Sequence, residues 1–245
     1  MGQAVLEAAA AHTDVQITAL LVKADSPLTG KTWGTLCYGS DLGQALTTCD
    51  VVLDFSQPAV TVQALEACVK ARKPLVTGVT GFGPDFKARL TDAGRMIPIL
   101  ASPNMSLGVA LLAQLVRSAA ATLGEEFDVE IIEAHHRRKQ DAPSGTALAL
   151  GEAVAAARGV ELLEQTDGVR QGQTGPRRAG AIGFAVVRGG DIVGEHTVLF
   201  AGDGERLELS HRAGSRAGFA HGALAAVRSI SGKPAGVYSL TELLL

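Results

Sequence analysis

The densest set of chemically active side chains in the sequence lies between Glu133 and Ala147, where the residues are EAHHRRKQDAPSGTA. Positions 135–139 carry His, His, Arg, Arg and Lys in succession. These cationic groups repel one another unless an anion lies among them. His135 and Lys139 are also side chain types that can transfer a proton to or from a reacting atom. The cluster therefore predicts an anionic substrate and proton transfer.

The residues after the cluster predict a helix whose first turn can hold a carboxylate. An apolar strand is predicted to end near Ala134, and Pro143 and Ser144 lead into a helix predicted over residues 144–158. Ser144 suits the N-cap position, and Gly145 leaves room for a ligand to approach the backbone. Free N–H groups at a helix N-terminus favour negative charge. We therefore expect a carboxylate-bearing small molecule at this position.

Two other interpretations of the cluster are a solvated surface charge run and a metal pair formed by His135 and His136. Adjacent residues on a strand point in opposite directions, and the sequence places no third ligand beside them. We therefore predict no metal site.

Hydrophobic periodicity predicts the elements that position the cluster. In the first 106 residues, apolar strand-like runs at 15–22, 50–55, 74–78 and 97–101 are separated by helical segments such as 61–70. This alternation is typical of a doubly wound (Rossmann-like) α/β fold, with a parallel sheet covered on both faces. Helices are also predicted at 5–11, 107–123 and 216–229.

The second half predicts an α+β domain with a mixed sheet. Strands are predicted at 127–134, 182–187, 191–200 and 205–211. Gly189-Gly190 and Asp203-Gly204 are interpreted as hairpin turns between the last three strands. Residues 165–179, which include Gly168, Gly172 and Gly175, predict a mobile loop or lid.

The predicted domains are a dinucleotide-binding domain and a domain for substrate binding and oligomerisation. The first takes residues 1–106 and 216–245, and the second takes residues 107–215. A complete doubly wound domain opens with a strand and a Gly-rich turn before its first helix. Here Met1-Gly2 leads directly into a helical segment, so we expect an N-terminally truncated sheet. A misassigned start or a shortened chain is the simplest explanation, and a different fold is the alternative.

Composition argues against several classes of partner. The net charge is −3 and aromatic residues make up 4%, which disfavours nucleic-acid binding. We identify no apolar run that reaches the roughly 18 residues of a membrane span. The three cysteines form no C-x-x-C pair, so we expect no disulfide framework or zinc site and a reducing, cytoplasmic location.

The string from Glu133 to Ala147 resembles the signature of the 4-hydroxy-tetrahydrodipicolinate reductases, also called dihydrodipicolinate reductases. Further counterparts of that family occur in order at residues 54–56, 77–82, 102–106 and 183–196. The resemblance implies that a nicotinamide cofactor reduces a cyclic imine dicarboxylate in diaminopimelate and lysine biosynthesis. It also implies a homotetramer. In this family the position of His135 is the catalytic acid/base and that of Lys139 a proton donor. The implied substrate contacts are His136, Gly145 and Thr146.

The resemblance also implies cofactor contacts in two loops that face the nicotinamide. The matching residues are Gly78, Val79, Thr80, Ser102, Pro103, Asn104 and Met105. The family's pyrophosphate loop has no counterpart here beyond Met1-Gly2. The acidic position that would hold the ribose of NADH aligns with Val22, and Lys23 follows it. The missing carboxylate and the neighbouring cation favour NADPH over NADH, and Lys23 is a cofactor-binding candidate.

The sequence is compatible with three functions. The leading one is an NAD(P)H-dependent reductase of lysine and diaminopimelate biosynthesis. The second is a non-catalytic dicarboxylate-binding remnant that has lost its cofactor loop. A different oxidoreductase with the same first domain, such as a sugar dehydrogenase, is disfavoured. It would not require a cationic cluster followed by a Pro-Ser-Gly-Thr helix start.

Overall fold

The structure is a computed structural model that describes residues 1–167 and 170–244. Its helices and strands, in chain order, are α1 (Gly2–Ala10), β1 (Leu20–Leu21), β2 (Thr32–Trp33), β3 (Leu36–Gly39), α2 (Leu42–Leu46), β4 (Val52–Asp54), α3 (Pro58–Ala71), β5 (Leu75–Thr77), α4 (Phe86–Gly94), β6 (Pro98–Ala101), α5 (Leu107–Leu123), β7 (Asp128–His135), α6 (Gly145–Arg158), α7 (Leu162–Gln165), β8 (Ile182–Arg188), β9 (Gly194–Gly202), β10 (Glu205–Ala213), α8 (Ala217–Ile230), β11 (Gly236–Tyr238) and α9 (Leu240–Leu244).

The chain forms two compact units. The first consists of Met1–Ser106 and Ala217–Leu245, and the second is Leu107–Arg216. Each unit has its own buried apolar cluster, one around β5 and β6 and the other around β7, β9 and α6. Each unit therefore has a hydrophobic core of its own.

The first unit contains a four-stranded sheet in the order β11-β6-β5-β4, in which all neighbouring strands are parallel. Leu75 and Val76 of β5 are both fully buried, which is the pattern of a strand covered on both faces. In the ladder, Asp54 is opposite Thr77, and Thr77 is opposite Ala101. The carboxyl ends of three strands therefore meet at one edge, as the predicted doubly wound α/β class requires.

The predicted strand over residues 15–22 is too long. Only Leu20 and Leu21 form ladder pairs, with Tyr38 and Gly39 of β3, in a small separate sheet that also contains β2. Val15 and Ile17 instead pack, partly buried, against a cluster built from α1 and α8. Apolar side chains can be buried either in a strand or in a loop that packs against helices, so composition does not distinguish the two. A strand also needs hydrogen-bonding partners along its length.

The second unit contains the predicted mixed sheet, in the order β10-β9-β7-β8. β7 pairs parallel with β8 and antiparallel with β9, and β9 pairs antiparallel with β10. Apolar side chains of α5 and α6 pack with those of the sheet to form the buried core. The alternation of β7 buries Val129, Ile131 and Glu133, so every second residue faces this core.

One of the two predicted hairpin turns is confirmed and the other is wrong. Asp203-Gly204 connects Gly202 with its ladder partner Glu205, and Gly204 has φ +87°. Gly189-Gly190 is not a hairpin turn, because β7 lies between β8 and β9. Gly189 N instead donates to the carbonyl of His135, and Gly190 accepts from Arg137 N. A Gly-Gly pair marks a reversal, but it does not show which strands are neighbours.

No uninterrupted apolar run of about 18 residues is expected from the sequence, but one helix is long enough and apolar enough on average to cross a membrane. Residues 107–126, which contain α5, have a mean hydropathy of 1.5 over an 18-residue window, because an average tolerates isolated charges such as Arg117. Leu112, Val116 and Ala120 of this helix lie in the core of the second unit. One such helix is weak evidence for a membrane span, since core helices have the same length and composition.

The loop predicted as a lid lies only partly within the described residues, and Gly168 is outside them. Arg177 fixes the described part to the start of β7: it donates from Nη1 to Asp128 at 2.8 Å and from Nε to Glu130 at 3.1 Å. Its Nη2 also donates to the carbonyls of Val129 and Ala181. The mobility of this loop stays a prediction.

Candidate functional site

The predicted catalytic cluster lies at the carboxyl end of β7 in the second unit. β7 ends at His135, one residue later than predicted, and the remaining cationic residues follow in the loop before α6. Because side chains alternate along a strand, Glu133 and His135 lie on the same face. His135 Nδ1 is 2.6 Å from Glu133 Oε2. The strand therefore places a carboxylate beside the candidate acid/base.

Glu133 is the central acceptor of the cluster, and sequence reasoning gave it no role. Its side chain is fully buried. Arg188, at the end of β8, donates to both of its oxygens at 2.7 Å, and the backbone N–H of Ser144 donates at 2.9 Å. Such a bidentate, charge-assisted pair is among the stronger polar contacts in proteins. The available sequence signal was a Glu two residues before His135, at a core-facing position of a strand.

Two side chains of the cluster, His135 and Lys139, have carboxylate partners in the chain itself. The sequence prediction that the cluster repels itself unless an external anion binds is therefore incomplete, because His135 pairs with Glu133, which Arg188 also binds. Lys139 Nζ lies 2.9 Å from Asp141 Oδ1, and this hydrogen bond lowers the pKa of Asp141. A substrate carboxylate would therefore compete with Asp141 for the Lys139 ammonium.

The start of α6 follows the local chemistry of its sequence. Ser144 is the N-cap, and its Oγ accepts from Ala147 N at 3.2 Å, which confirms the predicted helix start. The Ser144 Oγ also lies 3.1 Å from His196 Nε2. Gly145 is exposed, with no atom within 4 Å of the position a Cβ would take. The first turn is thus anchored on one side and open on the other.

His136 and Thr146, two predicted substrate contacts, are both half-buried. His136 begins the loop between β7 and α6, and Thr146 lies in the first turn of α6. His136 Nδ1 is buried and has no hydrogen-bond partner in the part of the chain that the structure describes. A buried polar atom without a partner costs free energy, about 1–3 kcal/mol. A polar ligand at this position would remove that cost.

The ionisation states follow from these contacts. Burial alone would raise the pKa of Glu133, but hydrogen bonds from Arg188, His135 and Ser144 N together hold it below its usual value. Burial lowers the pKa of His135, and the attraction of Glu133 opposes this only in part. At neutral pH the pair therefore consists of an ionised Glu133 and a neutral imidazole.

Acid should destabilise the protein through His196. Burial, and then the neighbouring His135, lower the pKa of His196 to about 4 from an ordinary value of 6.5. Both folded and unfolded forms hold this ring neutral above pH 6.5. As pH falls from 6.5 to 4 only the unfolded form gains the proton, so we expect a loss of about 3 kcal/mol in the free energy of unfolding. Urea titrations across this range, with His196→Gln as the comparison, measure it. An equal loss in the variant would contradict the assignment to His196.

The predicted cofactor residues lie in the first unit, at the carboxyl edge of its parallel sheet. Buried Asp54, at the end of β4, accepts from Thr61 Oγ1 at 2.6 Å, from Ser56 N at 2.8 Å and from Thr77 Oγ1 at 3.1 Å. Gly78 N donates to the Asp54 carbonyl. Asp54, which sequence reasoning did not select as a site residue, therefore fixes the loops after β4 and β5 to each other.

The two predicted nicotinamide loops follow β5 and β6. In the first loop Val79 is buried, Val79 N donates to Thr77 Oγ1, and Thr80 is exposed. Gly78 lies directly against the ring of Phe55, because a Cβ at Gly78 would be 2.2 Å from Phe55 Cε1. This contact leaves no space for a side chain at position 78.

In the second loop, Ser102 Oγ donates to the Asn104 carbonyl at 2.7 Å, and Asn104 Oδ1 accepts from Ser106 N at 2.8 Å. Pro103 is exposed between them, whereas Met105 is buried beneath the loop. Ser102 N also donates to the Thr77 carbonyl, which joins this loop to the end of β5. Both loops thus lie at the edge where open parallel sheets bind ligands.

Lys23 lies near the same edge. It follows β1, and its Nζ donates to Gln57 Oε1 at 2.8 Å, where Gln57 is the N-cap residue of α3 just after β4. The side chain is exposed, and its ammonium has further donors that could meet an anionic group. A loop with backbone polar groups, a position without side chain and a nearby cation together fit a nicotinamide dinucleotide.

Comparisons with known proteins cover both units. Residues 1–105 match the family "Dihydrodipicolinate reductase, N-terminus" and residues 108–244 match "Dihydrodipicolinate reductase, C-terminus". The chain is 48% identical to the 4-hydroxy-tetrahydrodipicolinate reductase of Nitrosospira multiformis, covering 100% of this chain and 93% of the relative. It is 47% identical to that of Thiobacillus denitrificans, covering 100% and 94%.

Among solved structures, a dipicolinate-bound dihydrodipicolinate reductase from Paenisporosarcina sp. TG-14 has the same fold. The TM-score is 0.81 at 24% identity, covering 100% of this chain and 95% of that chain. The family match over both units and the identity to full-length relatives lead to one conclusion. This chain belongs to the dihydrodipicolinate reductase family of NAD(P)H-dependent oxidoreductases.

Proposed function

We propose that this protein reduces 4-hydroxy-tetrahydrodipicolinate to tetrahydrodipicolinate with NADPH or NADH, in diaminopimelate and lysine biosynthesis. The observation that carries the proposal is His135, hydrogen-bonded to buried Glu133, in the same loop region as Lys139 and an exposed helix start. This set combines proton transfer with recognition of carboxylates. The relatives at 44–48% identity that carry this name support it.

The second unit binds the dicarboxylate substrate in this proposal. One carboxylate meets the first turn of α6 at Gly145 and Thr146, where the helix dipole favours negative charge. Lys139 and His136 bind the second carboxylate of the substrate. The orphaned Nδ1 of His136 supports a polar ligand there. Dipicolinate, the ligand named with the Paenisporosarcina enzyme, has the same two-carboxylate chemistry.

The first unit binds the cofactor, which supplies a hydride when bound. Gly78, Val79 and Thr80 of the loop after β5 and residues 102–105 of the loop after β6 would hold the nicotinamide. Lys23 would meet the ribose, where its charge would favour a 2′-phosphate and therefore NADPH. The conversion removes the 4-hydroxyl group as water and adds one hydride and one proton to the ring, so a proton must reach the substrate together with the hydride. The Lys139 ammonium carries a proton that it can deliver, and His135 Nε2 can take one up from solvent and pass it to the substrate.

The proposal also includes a cytoplasmic homotetramer built by the second unit. Its sheet has exposed apolar side chains at Ile132, Val186, Val187 and Leu207, which an interface between copies would cover. Cys37, Cys49 and Cys68 are free thiols, in keeping with a reducing compartment. Light scattering of the purified protein measures the oligomer directly.

The test of the activity is oxidation of NADPH by the purified chain with freshly generated substrate, together with calorimetric titration of NADPH alone. Turnover with micromolar cofactor binding supports the reductase. The disfavoured alternative, a dicarboxylate-binding remnant, requires a folded chain that binds pyridine-2,6-dicarboxylate but neither binds NADPH nor oxidises it.

Lys139→Ala should raise the KM for substrate and lower kcat. The variant loses a cation that holds a carboxylate and a proton donor, and a hydrogen bond to a charged group contributes about 1.5–3 kcal/mol, or about 10- to 10²-fold in kcat/KM. Steady-state kinetics measure both constants. Lys87→Ala, which removes an exposed lysine from α4, is the matched control and should leave them unchanged. Wild-type kcat/KM in Lys139→Ala would remove Lys139 from the site.

A further inference from the structure

Glu133 is a buried carboxylate whose acceptor capacity is fully used. Oε1 accepts from Arg188 Nη2 and Ser144 N, and Oε2 accepts from Arg188 Nη1 and lies 2.6 Å from His135 Nδ1. Removing a carboxylate from water is costly unless such partners replace the water. The partners come from β7, β8 and the start of α6. The arrangement is therefore built by three elements and is not a surface contact.

These contacts decide which nitrogen of His135 carries the proton. An ionised carboxylate can only accept hydrogen bonds, so the short contact to Oε2 requires a proton on Nδ1. The pKa of Glu133 is lowered despite burial, which keeps it in that accepting state. In the neutral ring Nε2 is then the unprotonated nitrogen, and it is the atom that can take up and release a proton.

The surroundings of Nε2 agree with that role. In the part of the chain that the structure describes, Nε2 has no hydrogen-bond partner. It faces Gly194 of β9, where a Cβ would lie only 3.1 Å away. The ring of His196 packs edge-on against the His135 ring, with centroids 5.1 Å apart. Two contacts therefore hold the ring, the hydrogen bond at Nδ1 and the packing against His196. Nε2 remains available to exchange a proton.

The charge of Glu133 is itself balanced by Arg188. Arg188 also donates from Nη2 to the Asp141 carbonyl, which joins the end of β8 to the catalytic loop. The charged or titratable groups that face His135 are Glu133 on its own strand, Arg188 from β8, Lys139 with Asp141 in the loop, and His196 from β9 with His211 of β10 behind it. Without Arg188 the charge of Glu133 would be opposed only by Lys139 and would attract a proton to the imidazole more strongly.

We propose that Glu133 and Arg188 are positioning residues for His135. Glu133 holds the Nδ1–H form of the ring and directs Nε2 toward the substrate, and Arg188 offsets the carboxylate so that a proton taken up at Nε2 is released to the substrate and is not retained by the ion pair. This inference rests on the proposed acid/base function of His135. It gives an arginine 53 positions further along the chain a part in the pH dependence of that residue, beside the burial of the ring.

The decisive variant is Arg188→Gln, measured as kcat/KM against pH. Without the arginine, the pH at which kcat/KM changes because His135 titrates should rise by roughly one unit, since the negative charge of Glu133 is then opposed less. Arg188→Lys keeps the positive charge but loses the bidentate geometry, so its pH profile should lie closer to that of the wild type than the profile of Arg188→Gln does. Arg206→Gln makes the same charge change at an exposed position of β10 and should leave the profile unchanged.

A spectroscopic readout tests the Nδ1–H form directly. Nitrogen-15 NMR of the histidine rings, with the His135 signals assigned by their loss in His135→Gln, should show Nδ1 protonated and Nε2 unprotonated above the midpoint of the titration. Glu133→Gln should weaken this preference and lower kcat roughly 10²-fold or more with little change in KM, because the ring can then adopt the wrong tautomer. Far-UV circular dichroism and binding of pyridine-2,6-dicarboxylate establish that each variant is folded.

The outcomes separate this inference from the proposed function. A wild-type pH profile in folded Arg188→Gln, or an Nε2–H ring in the wild-type protein, overturns the positioning role while leaving His135 as the acid/base. Full turnover by His135→Gln overturns the acid/base assignment itself. If Arg188→Gln does not fold, Arg188→Lys and the wild-type NMR spectrum still decide the question.

Discussion

His135→Gln is expected to lower kcat by roughly 10²- to 10⁴-fold, the usual contribution of a general acid/base. Glutamine keeps a polar side chain of similar reach, but it cannot exchange a proton near neutral pH. The cationic groups around the substrate remain, so the KM and the affinity for pyridine-2,6-dicarboxylate should change little. Steady-state kinetics with NADPH, together with calorimetry of the dicarboxylate, measure the two effects separately.

The matched control is His221→Gln, the same substitution at an exposed position of α8 in the first unit, which should retain wild-type turnover. A His135 variant with wild-type kcat would show that the proton comes from another group, with Lys139 the next candidate. A variant that loses dicarboxylate binding instead would make His135 a substrate contact.

Elements with a strong local pattern were predictable from the sequence. Helix α6 begins after Ser144 and ends before Gly159, which has φ +69°, because an N-cap hydroxyl and a C-terminal glycine act within a few residues of their own positions. α5 spans residues 107–123, as its apolar pattern predicts. Turn chemistry at Asp203-Gly204 was equally local. In these cases residues close in the sequence determine the local backbone conformation.

Pairing between distant segments was not predictable in the same way. The length of β1 depends on how far β3 runs beside it, and the Gly189-Gly190 segment depends on β7 lying between β8 and β9. Both are properties of the assembled sheet. Periodicity describes which residues face a core, but it does not describe which strand provides the hydrogen bonds.

The candidate site shows the same division. The sequence singles out His135 and Lys139 through residue types and order. Arg188, which pairs with Glu133, lies at the end of another strand. In the sequence, a single arginine after an apolar run is typical of a solvent-exposed strand end, so nothing marks it as part of the site. Asp54 was missed for the same reason, since its partners Thr61 and Thr77 are 7 and 23 residues away.

The second large effect is expected at Gly78, because of its contact with Phe55. A Cβ at this position would lie 2.2 Å from Cε1, 2.7 Å from Cδ1 and 3.1 Å from Cζ of the phenyl ring. Distances below about 3 Å cannot be tolerated, so the ring or the loop must move. The loop is held by the hydrogen bond from Gly78 N to the Asp54 carbonyl, and Phe55 is the next residue after Asp54. The loops after β4 and β5 would therefore be displaced together, and the second of these is a proposed cofactor-binding loop.

Gly78→Ala should accordingly weaken NADPH binding by roughly 10- to 10²-fold, the equivalent of about 1–3 kcal/mol for an overpacked contact, while pyridine-2,6-dicarboxylate still binds. Calorimetric titration with each ligand separates the two effects. Gly83→Ala is the matched control, because it adds the same methyl group six residues away from the edge of β5 with nothing within 4 Å. If Gly78→Ala binds NADPH as tightly as Gly83→Ala does, the loop after β5 does not contact the cofactor, and the proposed nicotinamide site must lie elsewhere in the first unit.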